Sequence, residues 1–271
     1  SFRRYQKVPA LARRMLKKFS ATYAASELDR TRLLELGSPP ESIQSTGSIK
    51  FDVSIGARAS DSERETLRAS LGFQAENQRP FVLLGSSTWP GEEAALLQTQ
   101  RAMIASGIDC RLLLVPRHAE RAAEIVALLA AQELSWHQRS MGLAAPTGLR
   151  IHLADTTGEL TQLTQAADLA FIGKSLAPNT GGQTPIEAAG LGIPILMGPH
   201  MNNFRDVARS LVRAGAAKHV QTSTELRQKT RQLAQDKAQL ANMHAAGLRW
   251  HASNRGSSQR IAQHLLAKLL S

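Results

Sequence analysis

The segment Lys174-Ser175-Leu176-Ala177-Pro178-Asn179-Thr180-Gly181-Gly182-Gln183-Thr184-Pro185-Ile186-Glu187 holds the densest chemistry in this 271-residue chain. Two adjacent glycines let a ligand approach the backbone closely. Thr184 at an N-cap, Pro185 at the first helical position and Glu187 three residues past the cap read as the start of a helix. The free N–H groups and positive dipole end of such a helix suit a phosphate. Glu187 is then either the capping-box partner of Thr184 or an acceptor for ribose hydroxyls. A phosphate site beside a ribose acceptor points to a nucleotide, here a sugar nucleotide.

Three other turns carry polar groups. Pro116-Arg117-His118 follows an apolar run, and an arginine there is either a bidentate phosphate clamp or the partner of Glu120 or Glu124 in a surface ion pair. Asp155-Thr156-Thr157-Gly158-Glu159-Leu160 contains the capping-box spacing at Thr156 and Glu159. The same spacing recurs at Ser60/Glu63 and Thr222/Glu225, so it carries no function by itself. Ser86-Ser87-Thr88, before Trp89-Pro90-Gly91-Glu92-Glu93, offers hydroxyls for a helix cap, the simpler reading, or N–H groups for an anion. The eight histidines show no HExxH and no ligand-spaced carboxylates, so no metal site is expected. GxGxxG, GxxxxGK[ST] and GxSxG are all missing, which argues against a nicotinamide dehydrogenase, a P-loop NTPase and a serine hydrolase of the nucleophile-elbow type.

These turns need a scaffold. Short apolar runs at Ala21–Ser26, Ser45–Ile49, Phe81–Gly85, Cys110–Val115, Leu134–Gln138, Ile151–Ala154, Leu169–Gly173, Ile195–Gly198 and Ala217–Val220 alternate with helical patterns, among them Glu92–Ser106, Ala119–Ala131, Glu159–Ala167, Pro185–Leu191, Asn203–Ala214 and Thr224–Ala234. Unbroken runs such as Leu112-Leu113-Leu114-Val115 are typical of strands covered on both faces. The alternation predicts a doubly wound α/β domain over about residues 55–245, whose ligands bind at the carboxyl ends of the strands. Asp52–Asp61 reads as a polar linker, Ser253–Ser258 as a break, and Arg260–Leu270 as an amphipathic helix.

Composition sets outer limits. With 42% hydrophobic and 20% charged residues the chain is globular rather than disordered. The single cysteine, Cys110, excludes an internal disulfide and suits a reducing compartment. No run of 18 apolar residues and no signal-peptide core is present, and the missing initiator Met suggests processing or a partial sequence. The net charge is +11, with basic ends and an acidic middle; Arg3–Lys18 alone holds seven basic and no acidic residues. Such ends attract phosphate-rich partners, either nucleic acid or an anionic membrane; composition does not choose between them, and aromatics at 4% weaken the nucleic-acid reading.

Six motifs in order carry a resemblance: Gly47-Ser48-Ile49-Lys50-Phe51-Asp52, Ser87-Thr88-x-x-Gly91-Glu92-Glu93, Leu114-Val115-Pro116-Arg117-His118, Asp155-Thr156-x-Gly158-Glu159-Leu160, Gly181-Gly182-x-x-Pro185-x-Glu187 and Gly198-Pro199-His200-Met201-x-Asn203-Phe204. In this order the sequence resembles the 3-deoxy-D-manno-octulosonic acid (Kdo) transferases of Gram-negative bacteria. The resemblance implies a GT-B fold of two Rossmann-like lobes. It also implies inverting, metal-independent and cofactor-free transfer of Kdo from CMP-Kdo to a lipid A precursor at the cytoplasmic face of the inner membrane. It divides the chain into the end of the acceptor lobe (1–52), the CMP-sugar lobe (53–250) and a C-terminal helix returning to the first lobe (251–271).

By the same resemblance, CMP would meet Pro116, Arg117, Thr157, Gly158, Glu159, Thr184, Pro185, Ile186 and Glu187, with Lys50, Ser87, Thr88, Gly182 and Asn203 as further cleft candidates. The family's acidic base and membrane anchor lie in a part of the first lobe with no counterpart in these residues. The resemblance therefore implies a donor-binding piece with no catalytic residue of its own, inactive alone. Four positions depart from the family's usual residues: Trp89 for His, Lys174 for Gly, Gln183 for His and Thr184 for Asn. The competing readings are a GT-B transferase with another nucleotide-sugar donor and a basic nucleic-acid-binding protein.

Overall fold

A computed structural model of the chain describes residues 2–52, 55–75, 79–142 and 144–270. It separates into two units, one made of Ser1–Ser54 with His251–Ser271 and the other of Ile55–Trp250. Val53 and Ser54, beside the expected boundary, lie outside the described residues.

In the smaller unit, β1 (Thr22–Ala24) pairs in parallel with β2 (Ile43–Ser45). The expected strand over Ser45–Ile49 is corrected: pairing ends at Ser45, Gly47 takes φ 85° and Ile49–Asp52 forms a 3₁₀ turn. The amphipathic helix Ser257–Leu269 packs onto this unit. The Tyr23 hydroxyl is 2.8 Å from His264 Nδ1, and Arg260 Nε donates to the Thr46 carbonyl at 3.0 Å. Asp52, read as the start of a linker, instead accepts from the N–H groups of Gly256 and Ser258 at the mouth of that helix.

The larger unit is built on seven parallel strands: β3 (Phe81–Thr88), β4 (Cys110–Pro116), β5 (Trp136–Gln138), β6 (Ile151–Leu153), β7 (Leu169–Ile172), β8 (Ile195–Met197) and β9 (Ala217–His219). Their order across the sheet is β5-β6-β4-β3-β7-β8-β9. Every residue of β4 and β7 is buried, as expected of strands covered on both faces. Leu83, Leu112, Leu114, Phe171 and Leu196 meet Leu96, Leu97 and Met103 of the helix Glu92–Ala105 and Leu226 and Leu233 of the helix Ser223–Gln235 in one core.

Two features of the helices matter for the site. The helix Lys237–Asn254 lacks a clean apolar stripe; its small Gly247 lies against the backbone of Ala189, where an added Cβ would come 2.9 Å from the carbonyl oxygen. The helix expected from Pro185 is shorter than its sequence suggests. It runs Ile186–Gly190, with Pro185 itself at the cap and no side-chain cap.

From β3 the chain proceeds to β4 and beyond on one side of the sheet, then crosses to β7 and proceeds the other way. The reversal falls between β3 and β7, and such a point leaves a crevice at the carboxyl ends of the strands.

Candidate functional site

Four adjacent strands, β6-β4-β3-β7, bring the predicted segments of the larger unit to one edge of the sheet. Pro116 ends β4 opposite Thr88 of β3, and the Arg117 N–H donates to the Thr88 carbonyl at 3.1 Å. Beside them, Ala154 N–H donates to the Leu114 carbonyl at 2.8 Å, which sets the Asp155–Glu159 turn next to Arg117 in strand order. On the other side, Gly173 N–H donates to the Ser86 carbonyl at 2.8 Å and leads into the Gly181–Glu187 loop.

Arg117 is exposed and has no ion pair among the described residues. The surface-pair reading is thereby corrected: His118 Nδ1 lies 3.2 Å from Glu120, while Arg121 takes Glu124 at 2.8 Å and Glu93 at 2.7 Å. The guanidinium of Arg117 is left open to solvent at the end of a central strand.

Glu159 is committed to the protein. Arg139, itself largely buried, donates to both its oxygens at 2.6 and 2.8 Å, and the Thr156 hydroxyl donates to the same carboxylate. These contacts, led by the Arg139 pair, hold the Glu159 pKa down at about 2. The capping box expected from Thr156 and Glu159 does not form, because Glu159 is the cap residue of the short helix Leu160–Thr164. Thr157 and Gly158 are exposed at the turn, with φ of 86° at Gly158.

Glu187 is different. Burial pushes its pKa up, and no partner offsets that. The expected capping box with Thr184 is replaced by a single bond: Thr184 Oγ1 accepts from Ile186 N–H at 3.3 Å. Pro185 and Ile186 are buried under the loop and hold it in place. Gly182, with φ 73°, sits against Met201, whose Sδ would be 2.5 Å from an added Cβ. Asn203 N–H donates to the Gly181 carbonyl at 2.8 Å, so this exposed residue borders the same loop. Lys50 belongs to the smaller unit, on its 3₁₀ turn.

Ser87 and Thr88 prove to be strand residues, not a helix cap; Gly91 caps the following helix with φ 88°. Ser87 has φ 53° and Lys174 has φ 58°, the two positive values at described residues other than glycine. Such values are costly where a Cβ is present and concentrate at functional sites. A Cβ on Gly173 would collide with the Ser87 carbonyl, so the ends of β3 and β7 touch backbone to backbone.

Sequence reasoning missed the residue that locks this junction. Glu92 is buried, and its carboxylate accepts from the N–H groups of Trp89, Lys174, Ser175 and Leu176 at 2.8–3.1 Å. Burial raises its pKa against the pull of these four donors. A glutamate opening a helix directly after a strand was the available signal, but nothing in the spacing separated Glu92 from Glu93.

With this geometry in place, relatives can be compared. A family model described as 3-Deoxy-D-manno-octulosonic-acid transferase (kdotransferase) matches residues 1–53. The 3-deoxy-D-manno-octulosonic acid transferase of Bordetella pertussis is 33% identical over 246 residues, covering 89% of this chain and 55% of the relative. That of Haemophilus influenzae is 30% identical over 264 residues, covering 96% and 60%. Over most of its length the chain is similar to Kdo transferases. It spans somewhat over half the length of these two relatives.

Among solved structures, the chain superposes on the C-terminal CMP-Kdo binding domain of WaaA from Acinetobacter baumannii with a TM-score of 0.59 and 25% identity, covering 68% of this chain and 96% of that one. Anabaena Alr3699/HepE in complex with UDP-glucose gives a TM-score of 0.56 at 18% identity, covering 97% and 68%, a likeness of fold alone. The fold is GT-B-type α/β, as the resemblance implied.

Proposed function

We propose that this chain is the donor-binding part of a glycosyltransferase that moves Kdo from CMP-Kdo to a lipid A precursor in lipopolysaccharide core assembly. The observation that carries the reading is Arg117, an exposed guanidinium without an ion pair at the β4 end of the switch-point crevice. A guanidinium there takes the CMP phosphate bidentately and stabilises the charge left on it as the glycosidic C–O bond breaks.

Glu187, half-buried and without a partner among the described residues, accepts the ribose hydroxyls. Backbone at Pro116 and at Thr157–Glu159 frames the base, with the Arg139–Glu159 pair fixing the second turn. Thr184 through Ile186 close the phosphate side, although a five-residue helix supplies less dipole than the sequence promised. The reaction assigned is inverting: a base takes the proton of the acceptor hydroxyl, which attacks the anomeric carbon opposite CMP. The residues named above are assigned to donor binding, and none of them to that base. We match the basic stretch Arg3–Lys18 of the smaller unit to the acceptor's phosphates and the anionic inner-membrane surface, a reading that goes with work at the cytoplasmic face.

Calorimetry with CMP and UDP tests the donor assignment. CMP binding with UDP weaker is the expected result. Binding of neither overturns the reading, and a preference for UDP moves the chain to a GT-B transferase with another donor.

A further inference from the structure

Lys174 follows β7 and Trp89 follows β3, so they flank the point at which the chain reverses across the sheet. Both are positions where the sequence departs from the family it resembles, and the fold puts them in contact. The Lys174 ammonium lies 4.0 Å from the centroid of the Trp89 ring, a cation–π distance. The Trp89 ring in turn meets His118 edge to face at 5.2 Å between centroids.

The lysine is held there by its backbone. Its φ of 58° is fixed from both sides, since its N–H donates to Glu92 and its carbonyl accepts from Gly182 N–H at 2.8 Å. The side chain then runs beside the glycine loop: its Cε would be 3.6 Å from a Cβ on Gly181. Lys174 is partly buried, and no carboxylate pairs with it among the described residues. Two buried polar atoms at the same place, Thr88 Oγ1 and Trp89 Nε1, also have no hydrogen-bond partner. An ammonium rested on an indole face, with no carboxylate partner among the described residues, is arranged to receive an anion.

We propose that Lys174, seated on Trp89, takes an anionic oxygen at the anomeric centre of the donor. The proposal rests on the donor-binding reading above. In CMP-Kdo the sugar carboxylate and the phosphate oxygen are attached to the same carbon, so one ammonium reaches either group. Trp89 is a positioning residue for that ammonium.

The test is the binding of cytidine, CMP and CMP-Kdo to the 271-residue chain and to its Lys174→Gly and Lys174→Met variants, by calorimetry with indole fluorescence alongside. Glycine suits the left-handed φ, and methionine keeps an apolar stem against the ring. The expected result is a loss of about tenfold or more in CMP-Kdo affinity in both variants, as for one charge-assisted bond, with cytidine affinity unchanged. An equal loss for CMP assigns the ammonium to the phosphate. Unaltered CMP binding with weakened CMP-Kdo assigns it to the carboxylate. CMP-Kdo affinity that survives both substitutions, or a cytidine affinity that falls as far, overturns the proposal while leaving the donor-binding reading intact. A parent chain that binds neither CMP nor CMP-Kdo overturns both.

Discussion

Single residues at the sheet edge divide by whether the protein already uses their charge. Arg117 is exposed and pairs with no carboxylate among the described residues, so Arg117→Ala should leave folding nearly unchanged and weaken CMP binding by about 1.5–3 kcal/mol, the worth of a charged hydrogen bond, readable by calorimetry. Glu159 is the opposite case. Its folded pKa of about 2 lies below the ordinary 4.5, so its stabilisation is complete above that ordinary value and is lost as the pH falls toward 2. Arg139→Met should therefore lower the unfolding free energy near neutral pH by about 1.5–3 kcal/mol and flatten the acid limb in urea titrations. Glu187 has the reverse sign. Burial lifts its pKa, so it costs stability as the pH rises through the interval above 4.5, and Glu187→Gln should remove that slope while weakening CMP if the carboxylate holds ribose.

At the scale of elements, the junction between β3 and β7 is the structure that makes a site of these residues. Glu92 joins the turn after β3 to the turn after β7 through three N–H groups of the latter. Glu92→Ala leaves those donors buried without an acceptor and should cost about 2–4 kcal/mol in chemical denaturation, with Glu92→Gln recovering part of it through its remaining oxygen. Gly173→Ala should cost about 1–3 kcal/mol by overpacking, because the new methyl meets the Ser87 carbonyl. The short helix Ile186–Gly190 shows why the loop was misread from sequence. Threonine, proline and glutamate at those spacings also occur where the chain turns sharply, and the burial of Pro185 and Ile186 decided which geometry formed. The helix Asp61–Ser70, by contrast, carries the complete capping box of Ser60 and Glu63.

For the molecule as a whole, charge and apolar surface coincide on the smaller unit. Tyr5, Val8, Leu11, Met15 and Phe19 are exposed among Arg3, Arg4, Lys7, Arg13, Arg14, Lys17 and Lys18, and no described helix is long and apolar enough to cross a membrane. The chain should bind vesicles containing anionic lipid, more weakly as salt rises, and substitution of those basic residues by glutamine should abolish the salt-sensitive part in a sedimentation assay. The sequence by itself determined the class of fold, because strands buried on both faces must be continuously apolar and the helices between them must alternate with them. It also placed the polar turns after the strands, since chain order alone does that. Only the tertiary structure decided which turns are neighbours, because β7 follows β6 in sequence but pairs with β3 across the sheet. That pairing spends the charge of Glu92 inside the protein, and the β5–β6 pairing does the same for Glu159 through Arg139, whereas Arg117 and Lys174 have no carboxylate partner among the described residues. For Glu92 the deciding contacts join residues some eighty positions apart, and no local spacing encodes them.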